Sequence, residues 1–273
     1  MNKYKINIIY ILFLAVPICA HTQTITPSPY RPITQISLKA KFIATDKLQQ
    51  IYAVTPKNEI IKYAPDCIKL YHYSNNTLGD LIYLDTTDPF NLLLYYTDYQ
   101  IIITLDRTLN KTGELNLLNA NALQVSTIGM SNDGNIWLYD QATFQLRKVD
   151  QDGKTLSESQ NLNLLLPQAP KPTQLIARDN WVYLCDPDLG ILVFNNFGQY
   201  DKTLDLKGVS AFQIIENRIF FREGNCLKVY DLKSFLISEI PLPEGIAAED
   251  EVQIQQNRLF VKKIDRIEIY ELK

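Results

Sequence analysis

Short apolar runs recur along the chain at a nearly constant interval. They begin at residues 51, 92, 136, 182, 219 and 259, so that neighbouring runs lie 37 to 46 residues apart. The runs are Ile51–Val54, Leu92–Tyr95, Ile136–Tyr139, Val182–Cys185, Ile219–Arg222 and Leu259–Lys262. Almost every run follows a polar turn such as Asn132-Asp133-Gly134. Runs of this length, rich in aromatic and branched residues and bounded by turn residues, predict β-strands.

Each of these strands belongs to a repeated unit of about forty residues. A further apolar strand follows after a short turn, as in Glu59–Tyr63 and Gln145–Val149, and a more polar fourth strand closes most units, as in Gln199–Leu204. Six four-stranded units at this period are typical of a β-propeller, in which each sheet buries its two faces against its neighbours. The predicted fold is therefore all-β, with six blades of four antiparallel strands.

The two ends of the chain predict how the ring closes. The last unit stops after Ile267–Leu272 and lacks a fourth strand, whereas the segment 32–38 is a spare strand near the beginning. Pairing these two segments would remove an open sheet edge. We thus expect one propeller domain over residues 23–273. Its blades are predicted at about 39–76, 77–116, 122–160, 172–207, 208–243, and 249–273 together with 32–38.

The first 22 residues have the pattern of a secretory signal peptide. Lys3 and Lys5 form a charged start, and the apolar stretch 6–20 is short for a membrane span. The alternative is a lipoprotein anchored through Cys19, although the residues before it do not favour a lipobox. The proline-rich segment 24–32 predicts an extended lead-in. We expect an exported, periplasmic protein with no transmembrane segment in the mature chain.

Charge and cysteine content exclude several classes of protein. The net charge is −3 and the pI is about 5.5, so that no basic surface for nucleic acid is expected. Removal of the signal peptide would leave Cys67, Cys185 and Cys226 in separate units. An odd number of dispersed cysteines in a domain of this size argues against a disulfide framework and against a zinc site.

Acidic residues recur at the strand corners, and they are the main candidates for chemistry. They are Asp46, Asp88, Asp133, Asp140, Asp150, Asp179, Asp186, Asp188 and Asp231. Aspartate is common in turns because its carboxylate accepts hydrogen bonds from nearby backbone N–H groups. Recurrence in successive units favours that structural role over a calcium site or a pair of catalytic carboxylates. The stretch from Asp150 to Gly153 resembles the start of a calcium loop but lacks the later ligands.

Histidine and the inner strands add little support for catalysis. Only His21 and His72 occur, and His72 lies in a predicted outer strand, where a solvent-facing or partly buried role is more common than a catalytic one. The inner strands 42–45, 126–130, 174–177 and 212–215 carry no acid at their central positions. We therefore predict no catalytic residue, no cofactor and no metal, and a protein that is not an enzyme.

Two long connections predict a binding surface for a partner protein. Residues 116–123 and 161–172 link consecutive blades, and they should share one face of the propeller with the turns between second and third strands. The predicted partner-binding residues on that face are Leu164, Leu165, Leu166, Tyr99, Phe144 and Leu189. Exposed apolar groups favour an interface. The alternative is that the leucines only fill the gaps between blades.

The stretch DGNIWLYDQATFQLRKVDQDGK, residues 133–154, is similar to NHL-type and YncE-like propellers. The whole chain resembles a family of exported six-bladed propellers of Bacteroidota, whose members include the periplasmic plug subunit of the type 9 secretion translocon. The resemblance implies a non-catalytic scaffold, monomeric within a complex that contains an outer-membrane protein. The alternatives are a calcium-dependent lactonase-like or glycosidase-like enzyme and a propeller that senses a small molecule.

Overall fold

The computed structural model describes residues 29–273, which form six antiparallel sheets of four strands each. Blade 1 contains β2–β5 (Phe42–Thr45, Ile51–Val54, Glu59–Tyr63 and Lys69–Ser74), blade 2 contains β6–β9 (Leu81–Asp85, Asn91–Tyr96, Ile101–Asp106 and Lys111–Asn116), and blade 3 contains β10–β13 (Val125–Met130, Ile136–Asp140, Gln145–Val149 and Thr155–Glu158). Blade 4 contains β14–β17 (Gln174–Arg178, Trp181–Asp186, Gly190–Asn195 and Tyr200–Leu204), and blade 5 contains β18–β21 (Gln213–Ile215, Arg218–Glu223, Cys226–Asp231 and Ile237–Pro241). Blade 6 contains β22–β24 (Glu251–Gln255, Arg258–Lys262 and Ile267–Leu272) and β1 (Tyr30–Ile36), while a single helical turn, α1 (Leu162–Leu165), lies between blades 3 and 4.

The core consists of six hydrophobic clusters within residues 29–273, one at each contact between neighbouring blades. Successive residues of a strand point to opposite sides of the sheet, so one strand serves two clusters. In β3, Tyr52 and Val54 pack against blade 2, whereas Ile51 and Ala53 pack against blade 6. The second strands are therefore apolar at nearly every position, which is the pattern that revealed the repeat.

The ring closes through the two ends of the described chain, as predicted. Strand β1 pairs antiparallel with β24, from Tyr30 opposite Leu272 to Ile36 opposite Ile267. The strand begins two residues earlier than the predicted segment 32–38. Pro32 is tolerated because it lies at a shift in register, where the ladder is already interrupted. Tyr30 is 4% exposed and packs edge-on against Tyr270, so that the strand extends towards the N-terminus.

The predictions for the first 28 residues lie outside the described part of the chain. They concern the signal peptide, Cys19, His21 and the beginning of the lead-in segment. Within residues 29–273, no helix has the length and apolar character needed to cross a membrane.

Candidate functional site

The six inner strands surround the axis of the propeller, where a channel of about 440 Å³ opens. Its described lining comes mainly from the inner strands of blades 1, 2, 4, 5 and 6, and carries the carboxamides of Gln174, Gln213, Gln253 and Gln255 together with Glu251. A second cavity of about 430 Å³ lies between blades 5 and 6 and shares Glu251 and Gln253 with the channel. Volumes of this size fall within the range of small-molecule sites.

Polar side chains in the channel connect the inner strand of one blade to that of the next. Gln174 accepts a hydrogen bond from the Phe212 N–H at 2.8 Å, and Gln213 accepts one from the Ile254 N–H at 2.7 Å. Gln253 donates to the Ile43 carbonyl at 2.7 Å. These glutamines satisfy backbone groups that would otherwise be unpaired along the axis.

In blade 3, Gly129 allows the inner strand β10 to lie close against Leu175 of blade 4. A Cβ atom at this position would lie 2.5 Å from Leu175 Cδ2 and 3.0 Å from the Leu175 carbonyl oxygen, so that only glycine permits the close contact with blade 4. The hydroxyl of Tyr83 reaches from blade 2 and donates to the same carbonyl at 3.1 Å. This side of the hub is filled, and the open channel lies towards the other blades.

Glu251 is the first residue of β22, and its acidic side chain lines both cavities, as does the side chain of Gln253. Its carboxylate accepts hydrogen bonds from the Ile43 N–H and from Gln253 Nε2, both at 3.2 Å. Burial raises its pKa from 4.5 to about 7, and these hydrogen bonds and the charge of Lys262 offset only part of that effect. A carboxyl group that titrates near neutrality beside a cavity is a candidate functional group.

The four inner strands named in the sequence analysis contain no acidic residue. The two other inner strands contribute Asp85 at the end of β6 and Glu251 at the start of β22. Asp85 has a structural role, because it accepts hydrogen bonds from the N–H groups of Thr87 at 2.8 Å and Met130 at 2.7 Å. Burial raises the pKa of Asp85 as well. Among residues 29–273, the Glu251 carboxylate accepts only the two longer hydrogen bonds described above.

The ionisation of Glu251 predicts a change in stability with pH. Because its pKa is raised in the folded state, it contributes stability that is fully present below about pH 4.5 and is lost as the pH rises through 7. Replacement by glutamine, Glu251→Gln, removes this dependence. The free energy of unfolding of the variant minus that of the wild type should rise by about 3 kcal/mol between pH 4.5 and pH 8. Urea denaturation over this range measures the difference, and a constant difference would contradict the assignment.

The corner aspartates act mainly as turn residues. Seven of the nine accept backbone N–H hydrogen bonds within or beside their own turns: Asp46, Asp88, Asp133, Asp140, Asp150, Asp186 and Asp231. Asp179 occupies a left-handed turn position with φ 54°, and the N–H of Asp188 donates to Asp186. Within residues 29–273, no group of three or more histidine, cysteine or acidic residues is arranged to hold a metal ion.

Histidine and cysteine occupy positions that agree with the sequence analysis. His72 is exposed on β5, the outer strand of blade 1. Cys67, Cys185 and Cys226 are free thiols, and they lie in blades 1, 4 and 5. Burial raises the pKa of Cys185 to about 12, so that this thiol stays protonated.

The predicted partner-binding residues divide into two groups. Leu164, Leu165 and Tyr99 are exposed, at 85%, 44% and 57%. Leu166 and Leu189 are partly buried and pack against the cluster between blades 3 and 4, and Phe144 is also partly buried. Leu166 thus helps to fill the gap between blades 3 and 4, whereas for the exposed Leu164 and Leu165 the partner-binding role stays a prediction. The spacing of Leu162 and Leu166, four apart, is the sequence signal for a buried side of one helical turn.

Two further exposed leucines, Leu118 and Leu123, lie on the connection between blades 2 and 3, at 51% and 66%. We define the link-face patch as Tyr99, Leu118, Leu123, Leu164 and Leu165. Backbone contacts hold its segments against adjacent turns. The Leu117 N–H donates to the Gln100 carbonyl at 2.9 Å, and the Leu162 N–H donates to the Phe144 carbonyl at 2.8 Å. The five side chains thus lie on turns and links of one sector of the propeller, across blades 2 to 4.

Comparison with known proteins shows the fold. No protein-family model matches the sequence, and no curated protein matches it. Virginiamycin B lyase from Staphylococcus aureus is similar in structure, with a TM-score of 0.63 and 14% identity over 89% of this chain and 100% of that chain. A protein of unknown function from Bacteroides thetaiotaomicron has a TM-score of 0.61 and 12% identity, over 87% of this chain and 71% of that chain. BamB from Moraxella catarrhalis has a TM-score of 0.55 and 11% identity, over 89% of this chain and 98% of that chain. At these identities the likeness concerns the β-propeller fold alone.

Proposed function

We propose that this protein is a non-catalytic interaction propeller of the periplasm, which docks through the link-face patch onto a protein of an outer-membrane complex. The observation that carries the proposal is the exposure of five large apolar side chains on neighbouring links and turns. Large apolar patches on a soluble domain are typical of interfaces. Tyrosine and leucine at the centre of such a patch can be desolvated without leaving an unpaired charge.

The positions of the charged groups support a docking role over catalysis. The corner carboxylates are engaged by backbone N–H groups, and His72 is on the rim, far along its blade from the hub. The signal-like pattern of residues 3–20 supports export. The finer form of the proposal follows from the family resemblance, in which the partner is the type 9 secretion translocon and the propeller plugs it.

A pair of substitutions separates docking from folding. The double variant Leu164→Ser, Leu165→Ser changes only exposed side chains, so its free energy of unfolding should stay within about 0.5 kcal/mol of the wild type. The matched control is Leu162→Ala in the same helical turn. Leu162 is fully buried, and the control should lose about 3 kcal/mol.

Binding is measured by co-purification from envelope membranes solubilised in mild detergent. We expect the wild type to retain an outer-membrane protein, identified by mass spectrometry, and the double variant to lose at least nine-tenths of it. Retention of that protein by the folded double variant would contradict the proposal. Unfolding of the double variant to the extent of Leu162→Ala would show instead that these leucines belong to the core.

A further inference from the structure

Glu251 lacks a cationic partner within the described residues. Its carboxylate contacts two neutral donors, and no ion pair joins it to a lysine or arginine between residues 29 and 273. The neighbouring cations are engaged elsewhere: Lys263 pairs with Asp250 at 3.0 Å, and Lys41 pairs with Asp80 at 2.6 Å. Lys262 acts on Glu251 only through space.

The other cations that line the two cavities form no ion pair with Glu251 within residues 29–273. Arg178 donates to the Ile214 carbonyl at 2.7 Å, and Lys47 is exposed. Arg222, which lines the second cavity, donates to the carbonyls of Ala247 and Asp250 at 2.7 and 2.5 Å. The adjacent inner strands β2 and β18 carry no charged side chain. A desolvated carboxylate without a counter-ion is costly, and a bound cation would offset that cost.

The rest of the lining suits a small organic cation. Thr173 and Ser210 in the channel offer hydroxyl oxygens, and the Gln253 amide lies next to the carboxylate. Phe212 borders both cavities, and Phe220 borders the second. Hydroxyl and amide oxygens accept hydrogen bonds from an ammonium group, and aromatic rings attract cations.

We propose that the cavity around Glu251 is a binding site for a small organic molecule that carries a primary ammonium group. The ammonium group donates to the Glu251 carboxylate and replaces the missing counter-ion, while the carbon chain lies against Phe212. A neutral ligand would leave the carboxylate charge uncompensated, and an anion would be repelled by it. A divalent metal ion requires more oxygen ligands than this single carboxylate supplies.

The test uses three probes of nearly equal size that differ in charge: n-butylamine, n-butanol and butyrate. Isothermal titration of the full protein at pH 7.5 should give saturable binding of butylamine, with a Kd of about 1 mM for so small a ligand. Butanol and butyrate should bind at least tenfold more weakly. Equal binding of butanol would indicate a neutral polar ligand, and preferential binding of butyrate an anionic one; either result would overturn the proposal.

Two further readouts assign the site to Glu251. Glu251→Gln should weaken butylamine binding at least tenfold, whereas Glu239→Gln, which changes an exposed carboxylate on β21, should leave it unchanged. In the wild type, butylamine affinity should rise about tenfold from pH 6 to pH 8 as Glu251 ionises. This second readout needs no variant and remains informative if Glu251→Gln folds poorly. Affinity that is independent of pH would contradict the site.

The proposal is independent of docking through the link-face patch. The double variant Leu164→Ser, Leu165→Ser should bind butylamine like the wild type. A loss of partner binding with intact butylamine binding would thus support both proposals separately.

Discussion

A chain that lacks residues 30–36 should lose its cooperative unfolding transition. Removal of β1 exposes the edge of β24 and deletes two core residues, Tyr30 and Ile36, from the contacts of blade 6 with blades 5 and 1. The buried apolar area of these two side chains accounts for about 4 kcal/mol, and the lost ladder hydrogen bonds for several more. The sum is comparable with the whole stability of a typical domain, which is about 5–15 kcal/mol.

The matched control for this deletion is Ile33→Ser. Ile33 lies on the same strand but is 42% exposed, so the substitution should change the free energy of unfolding by less than about 0.5 kcal/mol. Circular dichroism during thermal unfolding measures both variants. A synthetic peptide of residues 29–37, added to the shortened chain, should restore part of the transition. A shortened chain that melts within a few degrees of the wild type would contradict closure of the ring by β1.

Replacement of Arg147 should cause the second large loss of stability. Arg147 joins blade 3 to the connection that precedes it. Its guanidinium donates to the carbonyls of Ala120 and Asn121 and to Thr155 Oγ1, at 3.1, 3.0 and 2.6 Å. It also lies 3.7 Å from the carboxylate of Asp140, which is fully buried. Arg147→Met keeps the apolar stem but leaves Asp140 without a cation, and it should cost about 4 kcal/mol.

The control is Lys111→Met, which removes an exposed ion pair with Glu114 and should cost less than about 0.5 kcal/mol. Denaturation in urea gives both values. Because Arg147 holds the connection that carries Leu118 and Leu123, its loss should also weaken partner binding. A cost below about 1 kcal/mol for Arg147→Met would show that the buried pair does not fix this connection.

The repeat was predictable from sequence because the second strands are covered on both faces. Their apolar runs recur although the loops between them differ in length, and this recurrence predicts the six blades. The closing strand is predicted separately, from the missing fourth strand of the last unit and the spare segment 32–38. The outer strands are more polar, and β5 is exposed at five of its six positions. The outermost strands lie beyond the reach of the neighbouring blades, so that neither face is consistently buried.

The channel was not predictable in the same way. Glu251 resembles other acids at strand ends, and only the ring brings it beside Gln253 and the Ile43 N–H. Tyr83 of blade 2 contacts Leu175 of blade 4, and Gly129 of blade 3 lies against the same leucine. This meeting of three blades follows from the ring and not from any local sequence pattern. In the link, the spacing of Leu162 and Leu166 was a local signal, whereas the exposure of Leu118 and Leu123 depends on how the connection lies against its blade.

Site-specific photo-cross-linking in intact cells tests docking through the link-face patch most directly. A photoreactive amino acid replaces Leu164 in one strain and Phe197 in another; Phe197 is 72% exposed on the turn between β16 and β17, on the opposite face. We predict a cross-link from position 164 to one outer-membrane protein, and no such product from position 197. No cross-link from position 164, or the same product from both positions, would contradict docking through this face.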